Sequence, residues 1–129
     1  MSYGIVAVNA ATLTIKSKIS PVEAWQKSVC KAYPDSKESQ LKGCPKNTFL
    51  GLRSEGQVKN IPKGNYTKSE LNRWYAKNAV AILKTNKSTI FTPLELWRAT
   101  LLASGADIKK VHNSQMNVVL ALWEEGMIV

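Results

Sequence analysis

A chain of 129 residues, 44% hydrophobic and 21% charged, has the size and composition of one globular domain spanning residues 1–129, which excludes a disordered tail and a low-complexity linker. Two cysteines and one histidine supply neither the disulfide framework of a small secreted domain nor the usual cysteine–histidine zinc set, so no metal and no cofactor is expected. The net charge of +9 is unevenly spread: residues 36–90 carry eleven Lys/Arg against three Glu, a net of +8, whereas residues 91–129 carry three against four acidic residues, a net of −1. Such a field favours phosphates or an acidic protein surface as partner.

The segment from Ser2 to about Thr14 reads as a helix rich in alanine and aliphatic residues. Its apolar run is interrupted by Asn9, Thr12 and Thr14 and is too short to cross a membrane. Lys16 and Lys18 follow the run instead of preceding it, the reverse of a secretory leader, and a cytoplasmic location is expected.

Ser20-Pro21-Val22-Glu23 has the form of a capping box with proline in the first turn, and it opens a helix with Val22, Trp25 and Val29 on one stripe. Pro34 stops that helix. Thr92-Pro93-Leu94-Glu95 repeats the start 72 residues later, followed by Leu94, Trp97 and Leu101, with Gly105 as terminator. A second match lies 70 residues apart: Asn47 to Val58 (NTFLGLRSEGQV) and Asn117 to Ile128 (NVVLALWEEGMI), each a helix that ends at a Gly suited to a left-handed cap before a short apolar segment. Capping chemistry alone gives unrelated helices this likeness; the shared order and near-equal offsets favour duplication. The expected fold is mainly α with minor β, residues 19–60 and 91–129 forming two similar helix-turn-helix or winged-helix-like halves joined by a turn and central helix over 61–90.

Within that central region Ile61 to Asn65 is a turn cluster, and Thr67 to Glu70 predicts a capping box opening a helix to about Lys84. Leu71, Trp74, Tyr75, Asn78 and Ile82 form its apolar face, with Arg73, Lys77 and Lys84 opposite. Trp25, Trp74, Trp97 and Trp123 all fall on apolar helical stripes and are expected in the core. Tyr66, in a basic loop beside Lys63 and Lys68, is instead the aromatic expected to meet a ligand.

The run Lys42-Gly43-Cys44-Pro45-Lys46, with Phe49-Leu50-Gly51-Leu52, then Ile61-Pro62-Lys63-Gly64-Asn65-Tyr66, then Ser69, Asn72, Tyr75 and Ala76, resembles a family of uncharacterised bacterial domains. The stretch at Asn113 and Gln115 to Trp123 resembles it too. The resemblance implies one integral domain of bacterial or phage origin, and it transfers no catalytic residue.

No convergent acid, base, nucleophile and metal set is visible, and an enzyme is not expected. Cys44 and His112 are the only thiol and imidazole from which a nucleophile and base could be built, with nothing in the sequence to place them together. Glu124 and Glu125 are adjacent and project in different directions from a helix. The leading expectation is a nucleic-acid-binding module in which Lys42, Lys46, Lys59, Lys63, Lys68, Arg73 and Lys77 contact phosphates and Tyr66 a base of DNA or RNA. The rival is a protein-interaction or accessory domain that uses the same basic face against an acidic protein.

Overall fold

A computed structural model of the chain describes residues 2–58, 64 and 66–129. Its helices are α1 (Tyr3–Ser17), α2 (Pro21–Ala32), α3 (Lys37–Leu41), α4 (Gly43–Ser54), α5 (Glu70–Thr85), α6 (Pro93–Ala103) and α7 (Gln115–Glu124). The fold is mainly α-helical, as the periodicity predicts.

Side chains set most of the helix starts. The Ser2, Ser20 and Ser36 hydroxyls accept from the backbone N–H three residues on, and Thr92 with Glu95 forms the reciprocal capping box. The Glu95 carboxyl is held below the usual carboxylate range by the Thr92 N–H that it accepts. At Ser20 the box is half-made, because Glu23 turns to Lys27 at 3.5 Å. The box predicted at Thr67 does not form. Ser69 stands at the N-cap, while the Thr67 hydroxyl donates to Asn47 Oδ1 at 2.9 Å and accepts from the Ser69 N–H at 3.1 Å.

The predicted glycine stops are present. Gly56, Gly105 and Gly126 have φ of 71°, 69° and 67°, the left-handed region that an L side chain enters only with strain. In each case the residue after the glycine donates its N–H five residues back: Gln57 to Leu52, Ala106 to Leu101, Met127 to Leu122.

Residues that match at the two sequence offsets behave alike. Trp25 and Trp97 are buried, as are Ala24 and Leu96, Ser28 and Thr100, and Val29 and Leu101; Val22 and Leu94, placed on the inner stripe by periodicity, are instead half-exposed. Tyr3 and Tyr75 are also 72 residues apart, Tyr3 beside Trp25 and Tyr75 beside Trp97, with ring centroids 6.5 and 5.2 Å apart. Each carries a lysine ammonium over its ring, Lys42 at 5.5 Å and Lys110 at 5.1 Å. Val58 forms an antiparallel bridge with Ile128, its own counterpart at offset 70. This bridge is the only β pairing among the described residues, so of a winged-helix hairpin they contain no more than that.

The correspondence extends to α1 and α5. Helix α1 packs on α2 and on α7, and α5 packs on α6 and on α4. Glycine lets α1 approach α7, and α4 approach α5, closely: a Cβ on Gly4 would lie 2.8 Å from Ala121 Cβ and from the Asn117 carbonyl, and one on Gly51 would lie 2.8 Å from Arg73 Cα.

The face of α5 differs from the sequence reading. Tyr75, Ala76, Ala79, Val80 and Leu83 are buried, whereas Leu71 and Trp74 are 51% and 48% exposed. Small alanines point inward because two neighbouring helices must approach closely there, and a pattern weighted by large residues misplaces the stripe. Trp123 is half-buried against the core, as expected.

Candidate nucleic-acid interface

The first turns of α4, α5 and α7 meet at one end of the molecule. Thr67 joins Asn47 as described, Gln115 Nε2 reaches Asn72 Oδ1 at 3.5 Å, and Lys42 is near enough for its charge to act on His112. Lys46 precedes Asn47 and Lys68 follows Thr67, so two predicted cations flank the Asn47–Thr67 hydrogen bond in the sequence. Lys68 is exposed and Lys46 partly so.

The other predicted residues divide. Lys77 is exposed on α5. Lys42, half-buried, lies over the Tyr3 ring, which draws its ammonium toward the protein. Arg73 donates from Nε to Glu55 Oε1 at 2.8 Å and packs across Gly51, so its charge is already answered by a carboxylate. Tyr66 is half-buried against the core, its N–H donating to the Ser54 hydroxyl. Lys59 and Lys63 lie outside the described residues.

Arg53, one of the eleven cations of the basic middle, is not on the surface at all. It is 1% exposed, its guanidinium 5.4 Å from the Phe49 ring, with Nε and Nη1 lacking partners among the described residues. Burial pushes its pKa down to about 10, which leaves it charged at neutral pH.

The exposed Trp74 is the feature that periodicity missed. Trp74, Lys77, Ala81 and Lys84 follow at helical spacing along the outer side of α5, all exposed, with Lys68 just before the helix and Lys87 just after it. The ten helical rises from Trp74 to Lys84 span about 15 Å, roughly four steps of a nucleic-acid strand at about 3.4 Å each.

Among the described residues no hydrogen bond joins Cys44 to His112. The Met116 N–H donates to His112 Nε2 at 3.0 Å, which occupies the lone pair a base would use, and the ring lies 5.4 Å from Trp97. Cys44 and Cys30 are free and half-buried, with Cys30 Sγ accepting from Gln26. Among the described residues no group of three or more His, Cys, Asp or Glu could hold a metal ion. No helix is long and apolar enough to cross a membrane.

Burial, and then Lys42, lower the pKa of His112. The unfolded chain, with a histidine near the ordinary 6.5, takes up this proton first as pH falls. Stability from His112 is therefore complete above about pH 6.5 and declines as pH falls from there toward the folded-state value. The urea midpoint should be lower at pH 5.5 than at pH 7.5, with a slope of at most about 1.4 kcal/mol per pH unit. His112→Gln should remove that difference; a variant as acid-sensitive as the parent would assign the effect to other groups.

The site is thus a cationic and aromatic surface on a mainly α-helical domain. A model for a family of unknown function, DUF6979, matches residues 1–129, and the chain belongs to that family. No curated protein and no solved structure matches it.

Proposed function

We propose that this chain is a small nucleic-acid-binding module of a bacterial or phage cytoplasm, one that binds rather than catalyses. The observation that carries the reading is the outer stripe of α5, where an exposed tryptophan stands among Lys68, Lys77, Lys84 and Lys87. Lysines neutralise phosphates, and an exposed indole offers a stacking surface to any base. Lys46 on α4, next in sequence to the Asn47 that Thr67 joins, is read as a further phosphate contact. Residues 19–60 and 91–129 are read as duplicated halves, supported by the matched caps and burial and by the Val58–Ile128 bridge.

The test is binding of fluorescent single- and double-stranded oligonucleotides across a salt series. Lys68→Glu with Lys77→Glu should weaken binding with the fold intact, each lost phosphate contact flattening the slope of log affinity against log salt by about 0.7–0.9. Trp74→Ala should cost about 1–3 kcal/mol on single strands and little on duplex. Absence of binding to DNA or RNA at low salt sinks the proposal.

A second reading has its own support. Leu71 adjoins Trp74 on the exposed side, and Ile108 and Val111 are exposed in the loop that Lys110 ties to Tyr75. More apolar surface lies open than base stacking uses, which suits an acidic protein segment with apolar anchors. Leu71→Ser would weaken such a partner and leave oligonucleotide binding unchanged.

A further inference from the structure

Away from that stripe, α1 and α2 enclose a cleft of about 290 Å³ whose lining includes Thr12, Leu13, Lys16, Lys27, Ser28 and Lys31. Three exposed lysines, from two helices, line it. One carboxylate stands at its rim, Glu23, which meets Lys27 at 3.5 Å with both side chains more than half exposed. Leu13 and the aliphatic stems of the lysines supply an apolar wall.

Ser28 distinguishes this cleft from a chance meeting of surface lysines. It is 7% exposed, yet its hydroxyl makes no hydrogen bond with any described residue. A hydroxyl inside a helix ordinarily donates to the carbonyl four residues back, as Thr12, Thr48, Ser54 and Thr100 do here. Thr100 is the counterpart of Ser28 in the second half, where its hydroxyl reaches the Leu96 carbonyl at 2.7 Å. Lys27 and Lys31 correspond there to Ala99 and Ala103. The first half thus combines a nearly buried serine, whose hydroxyl is left to the cleft, with two lysines at positions where the second half has alanine.

We propose that the α1–α2 cleft binds a phosphate monoester on a short carbon skeleton. A monoester carries a charge of about −1.5 to −2 at neutral pH and three acceptor oxygens. Lys16, Lys31 and the Ser28 hydroxyl provide a donor for each oxygen, and Lys27, shared with Glu23, adds charge at the rim. A phosphodiester, with one charge and two free oxygens, uses less of this set. The volume falls at the lower limit of small-molecule pockets, and Leu13 with the lysine stems covers the carbon skeleton.

Calorimetric titration of the full chain with glycerol 3-phosphate tests the site, with acetate at equal ionic strength for comparison. Saturable binding of the monoester alone is expected. Ser28→Ala, which keeps helix and packing, should weaken it about tenfold; Lys16→Gln with Lys31→Gln should abolish it. Lys68→Glu with Lys77→Glu should leave it unchanged, so loss of nucleic-acid binding and loss of this site are separate results. Vesicles containing phosphatidic acid distinguish the source: binding confined to them and lost in the same variants identifies a lipid headgroup at the same cleft. Acetate binding as well as the monoester, an unaltered affinity in Ser28→Ala, or binding to neither form of phosphate overturns the proposal.

Discussion

Trp97→Ala is expected to cost about 3–5 kcal/mol, a large share of the roughly 5–15 kcal/mol that holds a domain of this size together. The indole is fully buried, edge-on to Tyr75 at 5.2 Å and 5.4 Å from His112, so truncation leaves a cavity that three elements border. Trp25→Ala should cost a similar amount, since that ring is enclosed by Phe49 at 5.3 Å and Tyr3. The two tryptophans part company on replacement by phenylalanine. Trp97 Nε1 donates to the Lys110 carbonyl at 2.9 Å, whereas Trp25 Nε1 is buried without a partner among the described residues. Trp97→Phe forfeits a hydrogen bond, and Trp25→Phe removes an unsatisfied donor. Chemical denaturation should place Trp97→Phe about 1 kcal/mol below Trp25→Phe. Equal losses would mean that the Lys110 contact does not order the loop after α6.

Gly4→Val should be nearly as damaging, about 3 kcal/mol, at the upper end of the usual cost of overpacking. The added Cβ would stand 2.8 Å from a backbone carbonyl and from another Cβ, and neither can swing aside as the tip of a long side chain would. Helix α1 must then lift from α7. Gly43→Ala is the matched control, because its Cβ would meet nothing nearer than Asn47 Nδ2 at 3.7 Å. A denaturation midpoint for Gly4→Val equal to that of Gly43→Ala would rule out the close approach.

Helix ends were the most legible part of the sequence, because a cap is a local event. Ser20, Thr92, Gly56, Gly105 and Gly126 each act through residues within one turn, and those positions hold. Thr67 shows the limit: it has the residue types of a cap, but Asn47, twenty positions away, takes its hydroxyl. The buried tryptophans 25 and 97 were legible because both sit beside further apolar residues at helical spacing. Trp74 misled because size outweighed position, the inner face of α5 including two alanines, Ala76 and Ala79, beside Tyr75, Val80 and Leu83. Charge was read correctly in total and wrongly in place. Arg53 is core and Arg73 is paired with Glu55, leaving lysines to carry the exposed field. No count along a sequence separates a solvated arginine from one laid over a phenylalanine ring.

The packing of α1 on α7 fixes when this protein can fold. On the ribosome α1 is made before α7, one of its two main partners, with Gly4, Ala7, Ala10 and Ala11 ready for burial. Until residues 115–124 have emerged, that flank of α1 has no cover, and α4 likewise waits for α5. The nascent chain therefore carries open apolar surface while everything from α2 to α7 is made, and closes this core only when α7 arrives. Stalled or truncated chains are correspondingly exposed to proteases and to association with one another.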